Sequence, residues 1–384
     1  MRKMILKVSL LSLFVLGVVG GINFIADPAN LFGEALVREM TTHLLQGEIV
    51  QSPGDYDEGL LQKEMLTGQE PPETVIVGSS SILYVPWEYP SCYVAGVSGA
   101  FLRDYLAVIG ILDASDRLPK RIVLGIDPWI LKRDNGIGRH TSIAGYADYE
   151  IAQSEDYGPK PERAEGSQPH GSEASHRKPK RDGGRIAGES TKSRLDRVWE
   201  LFSFAYFQSS IRFLQQNGLA ECLKSPQERT RVMTEEEARQ IPSLLPGGGH
   251  TALPHYDTAQ NDGTALSAID DKNLPGMGDE FRKVDERNRS LLEQELAYLK
   301  ARGTEVEIYL PTLYPVLYEY VKGSEDYAGV TETEALLREL GKTYEIPVHG
   351  SFDPERSGTQ SGDFADWLHV DGDAAIREYL ELVE

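Results

Sequence analysis

Two short stretches carry residue types that could do covalent chemistry together. The first is residues 74–81, Thr-Val-Ile-Val-Gly-Ser-Ser-Ser, where an apolar run stops at a glycine and three serines. Val75, Ile76 and Val77 read as a strand buried on both faces, and Gly78 marks a sharp turn. A serine just past such a turn sits at the carboxyl edge of a sheet, where open α/β folds bind ligands, so Ser80 is placed to act as a nucleophile. A polar loop would have the same composition; what separates the cases is a base. The second stretch supplies one, because Asp366-Trp367-Leu368-His369 sets a carboxylate three residues ahead of an imidazole in a turn near the chain end. At that spacing both side chains can point the same way. The carboxylate can then orient the imidazole and stabilise its charged form while it takes the serine proton.

These residues need a scaffold, and the pattern of apolar runs describes one. Strands are expected at 74–77, 93–97, 121–127, 305–310 and 346–349. Helical spacing falls at 34–46, 101–112, 195–223, 279–302, 332–342 and 374–383. Strand, helix and strand in alternation predict βαβ units, hence an α/β fold: a doubly wound, flavodoxin-like parallel sheet of about five strands. The expected organisation is an N-terminal apolar segment at 1–26, a juxtamembrane segment at 27–72 and an α/β domain at 73–384. Residues 153–194 hold hardly an apolar side chain and read as a disordered insertion, which includes a basic island at 176–181. A second polar excursion spans about 227–273. Its run Pro246-Gly247-Gly248-Gly249-His250 is followed by no Lys-Ser/Thr pair and by no second ligand at metal spacing, so His250 and His255 read as ordinary loop residues.

The formal net charge of -21 argues against a nucleic-acid partner, whose phosphates would repel the chain. Only two cysteines occur, Cys92 and Cys222, so no disulfide framework or cysteine-rich metal site is expected, and their pairing stays open. Arg2, Lys3 and Lys7 flank or interrupt an apolar run from Met4 to Ile25 that contains no acidic residue. That run has the ~20 residues a spanning helix needs, and it lacks a small-x-small cleavage site. The expectation is an uncleaved single-pass anchor over a removed signal peptide, with the N-terminus cytoplasmic and the bulk of the chain outside.

Gly78-Ser79-Ser80, Val97-Ser98-Gly99, Gly125-Ile126-Asp127 and Asp366-Trp367-Leu368-His369, in that order, resemble the blocks of the SGNH (GDSL-like) hydrolase superfamily. The likeness is closest to its membrane-anchored cell-envelope branch, the DltD-like and AlgJ/AlgX-like proteins. The resemblance implies Ser80 as nucleophile, His369 as general base and Asp366 as its orienting acid, with the backbone N–H groups of Ser80 and Gly99 as oxyanion hole. It implies an esterase or O-acyltransferase acting on an envelope polysaccharide or teichoic-type polymer, no metal or organic cofactor, and a membrane-bound acyltransferase as partner. Two departures stand out. The first block reads Gly-Ser-Ser rather than Gly-Asp-Ser, and Asp127 replaces the asparagine that normally donates to the oxyanion; a carboxylate there would accept hydrogen bonds and repel the charge. Asp127 and Trp129 are therefore read as site-lining residues.

Three competing readings remain. A catalytically inactive member of the fold could bind polysaccharide or scaffold an acylation complex. Gly96-Val97-Ser98-Gly99-Ala100 approximates the nucleophile elbow of α/β-hydrolases and offers Ser98 as a rival serine. A purely structural anchor protein would leave the serines and His369 apart.

Overall fold

The computed structural model describes residues 2–27, 34–53, 56–70, 72–84, 92–133, 140–158, 199, 201–222, 224–251 and 256–371. The turn cluster at 28–33, most of the expected insertion at 153–194 with its basic island, His255 and the helix expected at 374–383 lie outside the described residues.

The chain begins with α1 (Arg2–Ala26), α2 (Glu34–Leu45), β1 (Ile49–Gln51), α3 (Glu58–Gly68), β2 (Thr74–Gly78), β3 (Cys92–Gly96), α4 (Leu102–Ala114), β4 (Arg121–Gly125) and α5 (Ala144–Ser154). It continues with α6 (Phe204–Cys222), β5 (Val232–Met233), β6 (Ser243–Leu244), β7 (His250–Thr251), α7 (Thr258–Asp270) and α8 (Glu286–Ala301). The last elements are β8 (Glu305–Leu310), α9 (Pro315–Gly323), α10 (Ala328–Tyr344) and β9 (Val348–Gly350).

The strands β3-β2-β4-β8-β9 form one five-stranded sheet, every pair parallel. Successive side chains on β2 point to opposite faces, so Val75 and Val77 join the large core while Ile76 joins a smaller cluster with Ile82, Leu83, Val94 and Val123. Burial on both faces explains why the β2, β3 and β4 sequences are almost continuously apolar. Numbered within the sheet, the order is 2-1-3-4-5. The chain reverses its direction of winding at β2, and the crevice beyond the carboxyl ends of β2 and β4 is where such a sheet receives ligands.

Two parts of the chain differ from the sequence expectation. The segment before residue 73 belongs to the domain, since Leu36, Val37, Met40 and Leu44 of α2 and Leu60, Leu61, Met65 and Leu66 of α3 lie in the large core. The described part of 227–273 is folded as well: β5-β1-β6-β7 make a second, antiparallel sheet, and α7 follows. The glycine run has a packing reason. The Val94 N–H donates to the Gly247 carbonyl at 2.7 Å, closing the outer edge of β3, and a Cβ on Gly248 would lie 2.2 Å from the Val94 carbonyl oxygen. Strands of two or three residues leave almost no periodicity to read, which is why this sheet was invisible in sequence.

Helix α1 holds an 18-residue window, Ser9–Ala26, of mean hydropathy 2.1, and its side chains are largely exposed. It is long and apolar enough to cross a membrane; a signal sequence passes the same test. Cys92 is a buried free thiol.

Candidate active site

Ser80 is held by strand-end geometry. β2 stops at Gly78, and Ser79 caps the single turn Ser80–Ile82, its hydroxyl 3.4 Å from the Ser81 N–H. The side chains of Ile82 and Leu83 then fold back over the ends of three adjacent strands, where Gly96, Gly78 and Gly125 stand in register. A Cβ at Gly125 would come within 2.3 Å of Ile82, and one at Gly96 within 2.6 Å of Leu83. Three glycines at one level of the sheet thus open the niche that seats the serine turn. As the first residue of that turn, Ser80 directs its backbone N–H away from any intrahelical partner.

The base arrives from the far end of the chain. Phe364 and Val370 form an antiparallel bridge and the Ala365 N–H donates to the His369 carbonyl at 3.0 Å, so residues 365–369 make a closed loop. Within it Asp366 Oδ1 accepts the backbone N–H of Leu368 and of His369, each at 2.8 Å. The carboxylate also lies 2.9 Å (Oδ2) and 3.0 Å (Oδ1) from His369 Nδ1. On the other side of the ring, His369 Nε2 lies 3.0 Å from Ser80 Oγ, across 289 residues of sequence. Burial works against the charge of Asp366, but the hydrogen bond and charge of His369 and the two backbone donors outweigh it and hold the carboxyl below the usual range. An ionised Asp366 requires the proton on Nδ1, which leaves Nε2 with a lone pair toward Ser80. Tyr84 packs its ring edgewise on His369, centroids 5.4 Å apart, and fixes the imidazole plane.

Ser80 and His369 open into a cavity of about 220 Å³ that also includes Gly99, Phe101, Asp127, Trp129, Gly276, Tyr314 and Trp367 in its lining, with Asp366 behind the imidazole. Gly99 adopts φ of +62°, the left-handed region that suits glycine, in a turn closed by the Ala100 N–H to the Val97 carbonyl. The Val97 N–H in turn donates to the Gly78 carbonyl at 3.1 Å, which places the Gly99 turn beside that of Ser80. Gly276 faces the Trp129 ring so closely that a Cβ would come within 2.3 Å of it.

Asp127 has a structural task that its position in sequence did not disclose. It is buried, and its carboxylate accepts from the hydroxyls of Ser79 and Ser81, the residues flanking Ser80, and from Tyr105 Oη at 3.1 Å. Tyr105 also donates to the Gly125 carbonyl at 2.6 Å. The acid braces the nucleophile turn from below. Burial pushes its carboxyl up to about 6, against the pull of its three hydroxyl donors and of His369.

The rival serine is placed differently. Ser98 is exposed, its N–H donates to Glu58, and its carbonyl lies 3.2 Å from His140 Nε2. Among the described residues no histidine is hydrogen-bonded to its hydroxyl. Ser98 lines a second cavity of about 180 Å³ with Tyr56, Glu58, Tyr84 and His250. His250, in β7 rather than in a loop, lies 3.3 Å from Tyr56 Oη, and burial lowers its imidazole to about 4, so it stays neutral. Among the described residues no group of three or more His, Cys, Asp or Glu side chains is arranged to hold a metal ion.

No protein-family model matches this sequence, and no curated protein does. The chemistry of the site must therefore be argued from its own geometry. Sequence reasoning had singled out Ser80, Asp366, His369, Gly99, Asp127 and Trp129, and all but Asp366 line the one cavity. It missed Tyr84, Tyr105 and the pair Ser79 and Ser81 as supports; only the repeated serines around Ser80 carried a signal.

Asp127 makes a pH-dependent contribution to stability. Its folded pKa is raised above the unfolded value, so its favourable contribution is complete below about pH 4 and is lost as pH rises through about 6. At 1.36 kcal/mol per unit, a shift from 3.8 to about 6 corresponds to roughly 3 kcal/mol. Thermal melts of the protein and of Asp127→Asn are expected to show the wild type losing ground relative to the variant between pH 4 and 7. A difference in melting temperature that stays constant over that range would count against a buried, titrating Asp127.

Proposed function

We propose that this chain is a membrane-tethered, extracytoplasmic serine acyl-esterase or O-acyltransferase of the SGNH-like type, acting on an envelope glycan or teichoic-type polymer. The observation that carries the reading is the continuous hydrogen-bonded chain from Asp366 through His369 to Ser80 Oγ, opening on a cavity. The strand order 2-1-3-4-5 and the serine at the carboxyl edge of β2 support a doubly wound sheet of that family.

Ser80 Oγ attacks an ester carbonyl carbon while His369 Nε2 takes its proton, and the carbonyl electrons move to an oxyanion facing the N–H groups of Ser80 and Gly99. Collapse re-forms the carbonyl and expels the alcohol, to which His369 returns the proton. The acyl group, now an ester of Ser80, passes by the same two steps to a sugar hydroxyl or to water, which restores the free serine. Asp127 stabilises the turn rather than the oxyanion, so an acceptor stands where that family carries an asparagine donor. Slow transfer to a specific acceptor fits that site better than rapid hydrolysis.

The test is labelling of the full chain with a fluorophosphonate probe, followed by peptide mapping. Label on the peptide containing Ser80, lost in Ser80→Ala and His369→Ala, is the expected result. Folded protein with no label would favour a non-catalytic, polysaccharide-binding role, and label at Ser98 would favour the rival elbow.

A further inference from the structure

The strongest unassigned feature lies where α1 meets the domain. Asn23 and Ala26 are almost fully buried there, so the end of the apolar helix is packed against the segment that opens α6. Asn23 Nδ2 donates to the Leu201 carbonyl at 2.8 Å, Tyr206 Oη donates to Asp27 Oδ1 at 2.7 Å, and Gly20 approaches the Phe202 ring so that a Cβ would lie 3.2 Å from it. Around these contacts stand three large aromatic side chains turned to solvent: Trp199 is 71% exposed, Phe204 70% and Phe202 42%. Among the described residues few aromatic side chains are so exposed, and these three fall within six residues of one another, with Phe202 against Gly20 of α1.

We propose that Trp199, Phe202 and Phe204 insert into the headgroup region of the bilayer that α1 crosses, so that the segment packed on α1 lies in the interface rather than in water. The proposal rests on the reading of α1 as a retained anchor. Its occupant follows from position: exposed Phe24 and Ile25 lie on the same last turns of the apolar helix whose Gly20 and Asn23 contact Phe202 and Leu201. Depth agrees with this. The polar side chains Asn23 and Asp27 mark the outer boundary of the span, which puts the cluster at the level where tryptophan and other aromatic rings gather in membrane proteins. A scattered exposed aromatic would need no explanation, whereas a cluster of three flush with the end of a spanning helix has a solvent matched to it.

The full chain would be reconstituted into phosphatidylcholine vesicles whose acyl chains carry bromine at carbons 6 and 7, and compared with unbrominated vesicles. Flotation in alkaline carbonate reads α1 separately. Subtracting the emission of Trp199→Phe isolates Trp199 from the other three tryptophans. The expected result is flotation of both proteins, with at least half of the Trp199 emission quenched by brominated lipid and little by aqueous iodide. If the chain floats but Trp199 is quenched by iodide alone, or is shielded from both quenchers, the membrane contact is overturned while the anchor stands. Failure to float would overturn both.

Discussion

Asp366→Asn is expected to lower turnover of an aryl acetate ester by about 10⁴-fold, or about 5.5 kcal/mol of barrier, while leaving the fold intact. The reasoning is tautomeric. Asp366 Oδ1 caps the loop by accepting the N–H groups of Leu368 and His369, and the amide oxygen of an asparagine can keep both bonds. Its NH2 group then occupies the place of Oδ2, 2.9 Å from His369 Nδ1, and can only donate. Nδ1 becomes an acceptor and the proton moves to Nε2, the atom 3.0 Å from Ser80 Oγ. A protonated Nε2 cannot accept the serine proton, so the base is present in the wrong form. His369→Ala is expected to cost at least as much, and the double variant no more than the worse single one, because the three residues act as a unit. A loss below tenfold for Asp366→Asn, measured with an unchanged melting temperature, would mean that Ser80 is not activated through this chain.

The second large effect concerns stability on the helices behind the sheet. Asp113 on α4 is fully buried; it pairs with Arg302 at 2.7 Å and accepts from Tyr298 Oη at 2.9 Å and Tyr149 Oη at 3.2 Å. Next to it Glu150 of α5 and Glu295 of α8 share the same interior. Burial, the charge of Glu295 and that of Asp113 raise the Glu150 carboxyl; burial and Asp113 raise that of Glu295 against the lowering effect of its hydrogen bond with Glu150, so the pair holds a proton at neutral pH. Arg302→Met removes the one cation named in this cluster and leaves a carboxylate buried among acids. Breaking such a pair from one side costs about 3–5 kcal/mol, and the part-exposure of Arg302 points to the lower end. Urea unfolding should show that loss, and Asp113→Asn combined with Arg302→Met should recover most of it, since no unpaired charge remains. A single-variant loss under about 1 kcal/mol would show that solvent already screens the pair.

The difference between these two sites explains what could be read from residues alone. The Asp366 to His369 unit is local: four residues, a turn and a short loop fix its geometry, so spacing was enough to suggest it. The acidic cluster joins α4, α5 and α8, and no spacing relates Asp113, Glu150 and Glu295. Strands β2, β3 and β4 were legible because burial on both faces forces continuous apolar runs ending in turn residues, and β8 because its buried Val306, Ile308 and Leu310 alternate with Glu305, Glu307 and Tyr309. The antiparallel sheet of β1 and β5 to β7 was not, because its strands are two or three residues long and partly exposed, too short for alternation to register.

By itself the sequence determined an α/β order of elements with a parallel sheet, an N-terminal helix apolar enough to span a membrane, and a serine and an Asp-His unit each poised at a strand end or turn. Hydrophobic periodicity and turn chemistry act over a few residues, and that range sufficed. Only the tertiary structure brought Ser80 within 3.0 Å of His369 and, among the described residues, left the Ser98 hydroxyl without a histidine partner, because a contact across 289 residues depends on strand order and register. It also decided the work of Asp127. A lone carboxylate beside a reacting centre would repel an oxyanion, but burial under the Ser80 turn with three hydroxyl donors makes it a brace, and that burial belongs to the packing and not to the residue.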